Sequence, residues 1–190
     1  MPLTKIQSLG ITDGTIVNAD INASAAIAGT KLSGASITEA DQWRLNSDLT
    51  LANNVDTVIS ANLERVDTDG FALLGTGMTQ SSGVFSFPST GYWHVSLNAI
   101  GTGSATDRYV FGMIQTTTDG TNFDTAAEAC GSVAQATHYF NLSTNFIFDC
   151  TNITTHKVRF RQYSNSSTSK FLSNTSVNDT CFTFIKLAET

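Results

Sequence analysis

"GVFSFPSTGYWHVSLNAI", residues 83–100, is the stretch whose phase decides the fold. The first five residues run into Pro88-Ser89-Thr90-Gly91, a turn, and a longer segment follows. In that segment Trp93, Val95, Leu97 and Ala99 share one parity, and Tyr92, His94, Ser96, Asn98 and Ile100 share the other. A period of two places successive side chains on opposite faces of a β-strand. One face is fully apolar and belongs in a core. The other is weakly polar without a formal charge, and a strand uncharged on both faces is covered on both sides.

The same reading extends in both directions. Downstream come "DRYVFGMIQTTT" (107–118), "NFDTAAEACGSVAQ" (122–135), "HYFNLSTNFIFDC" (138–150), "HKVRFRQYS" (156–164) and "DTCFTFIKLA" (179–188), separated by turn residues such as Asp119-Gly120. Upstream, "DQWRLNSDLTL" (41–51) and "TVISANLERV" (57–66) read as two further strands. Eight to ten strands in about 150 residues, with almost no helical period, predict an all-β jelly-roll β-sandwich. The faces differ between strands. Val158 and Phe160 alternate with Lys157, Arg159 and Arg161, so one side of that strand is wet. In the last strand Phe182 and Phe184 point one way, and Cys181, Thr183, Ile185 and Leu187 the other, again without charge. No later segment remains to cover these uncharged faces, so self-association is expected.

Composition narrows the function. Charged residues are 14% of the chain, against about 25% in an average soluble domain, and the net charge is -6. An acidic chain argues against a nucleic-acid partner, whose phosphates demand a basic face. No run approaches the roughly 20 apolar residues of a membrane span, and membrane insertion is not expected. No secretory signal is visible at the N-terminus. The three cysteines, Cys130, Cys150 and Cys181, have no metal-type spacing and read as buried free thiols rather than a disulfide, in keeping with folding in a reducing cytosol. The Asn-x-Ser/Thr triplets are the chance product of a chain rich in Ser and Thr.

Residues 1–38 are of another kind. In "ITDGTIVNADINASAAIAGTKLSG" (11–34), Ile11, Ile16, Ile21, Ile27 and Leu32 recur about every fifth or sixth position, which is neither 2 nor 3.6. Such a thread gains burial only beside other copies of itself or inside a host particle. "ASAAIA" (23–28) is long enough for a helical turn or two, capped by Asp20 or Asn22, which is too short to be stable alone. Fully extended, the segment reaches at most about 125 Å, so it cannot build a long fibre by itself. The expected organisation is an anchor and trimer stem at 1–38 and a head at 39–190.

Two resemblances follow from these residues. "GVFSFPSTGYWHVSLNAI" and the ending "CFTFIKLAE" resemble the strand–turn–strand signature and the last strand of the complement globular-head and tumour-necrosis-factor family, over about residues 41–190. The chain departs from that pattern at Trp93, where a Tyr is usual, near Thr183, where the family has a glycine, and in lacking a collagen repeat. The resemblance implies a three-fold symmetric jelly roll with Tyr92, His94, Ser96, Cys181, Thr183, Ile185 and Leu187 lining the trimer centre. "GTIVNADINASAAIAGTKLSG" resembles the linking segments of bacteriophage fibres, particularly those of marine phages, that precede small trimeric heads. It implies that Ile11, Ile16, Ile21, Ile27 and Leu32 anchor the chain to other phage structural proteins in the virion.

Catalytic and metal sites are not expected, and neither is a cofactor. His94, His138 and His156 lack His-x-His spacing, and no nucleophile elbow or phosphate loop occurs. His94 reads as a hydrogen-bonded residue near the three-fold axis, where its protonation would make the trimer pH-sensitive. Consecutive loops of an antiparallel sandwich alternate between its two ends. That parity places "SNSSTSKFLSNTSVND" (164–179) at the end far from the stem, with the segments 101–107 and 134–138. Asn165, Ser166, Ser167, Lys170, Phe171 and Asn174 are the candidate contacts to a bacterial surface polysaccharide: amides and hydroxyls for sugar hydroxyls, Phe171 for a pyranose face. Phe171 pinning the loop to the sandwich stays open as the other reading. The stripe Lys157, Arg159, Arg161 either holds an acidic saccharide or pairs with neighbouring acids. The expected function is therefore a short trimeric phage tail or head fibre whose head binds a surface glycan without cleaving it. The alternatives are a capsid decoration protein that binds no receptor and a ligand of the tumour-necrosis-factor type.

Overall fold

A computed structural model describes Ile21 and residues 36–190. The chain divides into two units, Met1–Ser36 and Ile37–Thr190, and the second is the head. Among the described residues it contains thirteen strands: β1 (Ala40–Leu45), β2 (Leu49–Thr50), β3 (Thr57–Val58), β4 (Leu63–Arg65), β5 (Thr79–Ser81), β6 (Val84–Ser86) and β7 (Gly91–Gly103), then β8 (Asp107–Thr117), β9 (Asp124–Val133), β10 (Tyr139–Cys150), β11 (Lys157–Ser164), β12 (Ser169–Phe171) and β13 (Thr180–Ala188). They form two antiparallel sheets. The first has the order β2-β12-β7-β13-β1-β4, with β10 on the other edge of β7; the second has the order β5-β6-β11-β8-β9, with β3 also paired to β11. This is a jelly-roll sandwich, as the alternation predicts.

The decisive stretch is its frame. β7 pairs with β10 without a break from Tyr139↔Thr102 to Cys150↔Gly91, and with β13 along its opposite edge. The turn before it closes on Gly91, whose φ of 140° suits glycine and whose absent Cβ makes room for the Ala188 carbonyl and the Lys186 stem. Trp93, Val95 and Leu97 point inward and are fully buried with Phe182 and Phe184 of β13. The second sheet answers with Phe85 of β6 and Phe160 of β11. Ring centroids are 4.5 Å apart for Phe160–Phe182 and 5.1 Å for Phe85–Phe184. Such pairs add about 0.5–1.5 kcal/mol each beyond the area they bury. Gly112 of β8 lets the sheets approach, since a Cβ there would meet Leu97 Cδ2 at 2.8 Å.

The long strands and β6 match the sequence reading, and the other short ones do not. Residues 41–51 are two strands, β1 and β2, and residues 57–66 divide between β3 in the second sheet and β4 in the first. The supposed loop 164–179 contains β12, and β5 was not expected at all. Two or three residues are too few to display a period. One edge of the sandwich carries buried charges, Asp41 on the core side of β1 and Arg44 on its outer side. Asp41 is buried, receives both Nε and Nη2 of Arg65 and the Trp43 indole, and also accepts from the Met78 amide. Arg44 is buried between Glu64, Asp67 and Thr68. Cys150 and Cys181 are buried free thiols as expected, but Cys130 is exposed: it sits on the solvent side of β9 rather than in the core.

Candidate functional site

Register turns the uncharged faces of single strands into one surface. On the side of the first sheet away from the core, three rows cross four strands. Ile147, His94, Ile185 and Ala40 form one row, Asn145, Ser96, Thr183 and Gln42 the next, and Ser143, Asn98, Cys181 and Arg44 the third. Gln42 Nε2 donates to Thr183 Oγ1 at 2.9 Å, and Ser143 Oγ donates to Asn98 Oδ1 at 2.8 Å, so these four polar groups are paired within the face. Asp149 is the one formal charge on the outward positions of β7, β10 and β13. Ile147 is 58% exposed and Tyr92 42%, while Ser96 and Cys181 are covered. Burial raises the Cys181 thiol above its ordinary value and keeps it neutral.

Six of the seven residues assigned from sequence to the trimer centre lie side by side here. Leu187 does not join a row: the ladder slips between Lys186 and Ala188, and Leu187 is the extra residue of that bulge, 47% exposed. Sequence reasoning missed the contribution of β10. Its signal was Ile147, an apolar residue on the otherwise polar parity of "NLSTNFIFD". A cleft of about 440 Å³ beside this face, between Gln42, Phe71 and Val177, extends it past β1.

The six residues proposed to touch a glycan are not brought together. Asn165, Ser166 and Ser167 do lie at the end far from β1's start. There Thr137 N donates to Gly103 O and Ser104 N to Thr168 O, which gathers the three loops that parity groups. Buried Asp107 knots them by accepting from Ser164 Oγ and Ser169 Oγ. Lys170 is on β12 and ion-paired to Asp48 at 2.6 Å. Phe171 is fully buried against Phe140, with centroids 6.2 Å apart, so it pins the chain and offers no face to a sugar. Asn174 belongs to a segment that leaves the tip. Its Oδ1 accepts from the amides of Ser176 and Val177, and the following Asn178 donates to Gln42 on the first sheet's open face. The cause is β12, which pairs with Gly101–Gly103 and carries the chain back along β7.

The basic stripe is occupied. Arg159 Nε donates to Gln115 and its guanidinium lies 4.1 Å from the Phe123 ring centroid; Arg161 meets Asp56 at 3.6 Å; Lys157 donates to Ser86 and the Ile153 carbonyl. His94 stands on β7, His138 in the tip loops, and His156 is buried against Phe148, where its Nδ1 accepts from the Thr151 amide. Among the described residues no three metal-binding side chains converge. Of the proposed anchor residues, Ile21 is exposed; Ile11, Ile16, Ile27 and Leu32 lie outside the described residues.

The two-sheet fold can now be compared with solved structures. The chain is similar to Eiger TNF from S. frugiperda, with a TM-score of 0.58 at 12% identity over 82% of this chain and 96% of that one. It is similar to murine APRIL at pH 5.0, with a TM-score of 0.57 at 12% identity over 78% of this chain and 98% of that one. The head is a jelly roll of the tumour-necrosis-factor type. At this identity the likeness is one of fold. No family model and no curated protein matches the chain.

Proposed function

We propose that the protein is a homotrimeric, non-enzymatic virion appendage, a short phage fibre whose head binds a bacterial surface glycan and whose residues 1–38 attach it to the particle. The observation that carries the trimer is the outer face of β10, β7, β13 and β1, whose three rows hold one charge, Arg44, paired at the edge with Glu64 and Asp67, and on which Ile147 and the neighbouring Tyr92 are exposed. Contiguous faces of this kind on soluble domains mark association surfaces. A closed three-fold arrangement buries one such face per copy around an axis, with His94 and Ile185 near the centre. Its likeness to structures of the tumour-necrosis-factor type supports that assembly. The phage setting and virion location rest on the thread, which resembles phage fibre linkers.

Sedimentation of the full chain at micromolar concentration tests the assembly. A mass three times that of the chain is expected, and a monomer overturns the reading. Attachment is tested separately, by binding of the trimer to intact bacterial cells and by decoration of phage particles. Binding to cells supports the adhesin. Decoration of particles through residues 1–38, with no binding to cells or polysaccharide, supports a capsid decoration protein instead.

A further inference from the structure

The second sheet has an open feature of a different kind. Along β8, Val110 and Ile114 point into the core while Tyr109, Phe111 and Met113 point away from it. Tyr163 of β11 lies directly across from Phe111. The three rings form one cluster: Tyr109–Phe111 centroids are 5.8 Å apart, Phe111–Tyr163 6.2 Å, and Tyr109–Tyr163 6.0 Å with planes only 17° apart. They line an open groove of about 490 Å³, rimmed by Asp56, Thr125 and Glu128. Half-exposed rings on a solvent face contribute little to folding, and the other outward positions of β11, Lys157, Arg159 and Arg161, are charged.

We infer that this groove is a binding site for a neutral pyranose, the place where the head takes the glycan of its proposed function. A pyranose has an apolar C–H face that packs on aromatic rings and a girdle of hydroxyls that donate to carboxylates. The groove supplies both, with Met113 as a covered apolar floor and the Asp56 and Glu128 carboxylates above it. The volume is within the roughly 300–1,000 Å³ of small-ligand sites. Charge decides against an acidic sugar or a phosphate: the seven lining residues include two carboxylates and no cation. Arg161, beside the groove, is held by Asp56. A strand-adding peptide is also excluded, because β8 is paired to β9 and β11 and has no free edge.

The tip has a role in this site. Tyr163 Oη donates to Asn54 Oδ1 at 2.9 Å, and Asn165 Nδ2 donates to the same oxygen at 2.9 Å. Asn165 therefore acts as a positioning residue, holding Asn54 and through it the Tyr163 ring. Desolvation and the neighbouring Tyr109 raise the Tyr163 hydroxyl above its ordinary value, so it remains a neutral donor and acceptor. The groove and the proposed trimer face are on opposite sheets. Three copies would carry three outward grooves, and weak single-site affinity would be multiplied by avidity.

This inference rests on the glycan-binding reading, and the test separates the two. Saturation-transfer NMR on the full chain would use methyl β-D-glucopyranoside, methyl α-D-mannopyranoside and methyl β-D-galactopyranoside, with sodium glucuronate as the acidic control. Transfer to the ring C–H protons of at least one neutral glycoside is expected, and none to glucuronate. Tyr109→Ala should weaken binding about tenfold, the worth of one stacked ring. Glu128→Lys, at an exposed position, should do the same without removing a ring, and Lys170→Ala should leave binding unchanged. Thermal melts of each variant report folding. Absence of transfer from every neutral glycoside overturns the inference, as does equal transfer to glucuronate or survival of binding in both Tyr109→Ala and Glu128→Lys. Binding lost in Lys170→Ala and kept in Tyr109→Ala overturns the groove and leaves a glycan-binding tip.

Discussion

The outward faces of the two sheets obey the same alternation and end differently. On the second sheet, each cation of the β11 stripe finds a partner within its own chain: Arg161 has Asp56, Arg159 has Gln115 and Phe123, and Lys157 has Ser86. On the first sheet Gln42 pairs with Thr183 and Ser143 with Asn98, but Ile147, Tyr92 and Ile185 have no covering element. A face rich in charge is at ease in water. A face with almost none, in a chain whose net charge is -6, is suited to meeting another copy. The lesson is that charge on a strand's outward parity, more than its hydrophobicity, separates a wet face from an interface.

The contrast can be broken most severely from the core that both faces share. Phe182→Ala removes a ring packed on Phe160 and Phe85 and should cost about 3–5 kcal/mol, read by denaturant unfolding. Both faces should be lost together. Asp41→Ala should cost less, about 1–3 kcal/mol, because the Met78 amide and the Trp43 indole lose their acceptor, while Arg65 is partly exposed and keeps the Met78 carbonyl. Changing one face alone sharpens the comparison. Ile147→Asp should convert the proposed trimer to a monomer in sedimentation while the melting transition of the head survives. If that variant stays trimeric, the first sheet's outer face is not the interface. Arg161→Ala on the second sheet should change stability by less than about 1 kcal/mol and leave the mass unaltered, since its ion pair is partly exposed.

The smallest effect is one of pH. The hydrogen bond from Lys170, with further bonds from Ser173, holds the Asp48 carboxyl below its ordinary value. A depressed folded value means that the contribution is complete above the unfolded pKa of about 4 and is lost only as pH falls through the lower, folded one. Amide-exchange protection at Ser173 should therefore persist at pH 5 and fade only below about pH 4. Lys170→Ala should remove that acid resistance locally and leave the two outer faces as they were.

Much of the head could be read from its residues. The six long strands from 91 to 188, and the short β6 before them, fall where alternation puts them, including the parity of Trp93, Val95 and Leu97 against Tyr92, His94 and Ser96. The uncharged face was legible on β7 and β13 because each strand displays its own two sides. Its third strand, β10, was not recognised, since one Ile among Asn and Ser reads as an ordinary exposed residue until His94 is seen beside it. The segment 164–179 misled for another reason: Ser-, Thr- and Asn-rich sequence looks like a tip, and the three residues of β12 inside it are too few to show a period.

Side-chain parity is a local property, set by the backbone of one strand, and the sequence by itself determined it: the all-β class, the long strands, and which residues of each face a core. What only the tertiary structure decided depends on residues far apart in the chain. Phe171 is buried because Phe140 lies beneath it, Lys170 is neutralised because Asp48 is across the strand pair, and Tyr109, Phe111 and Tyr163 share a groove because β8 and β11 are neighbours. These pairings come from register between strands separated by tens of residues. No period within a single strand encodes register, because it is chosen by the packing of the whole sandwich.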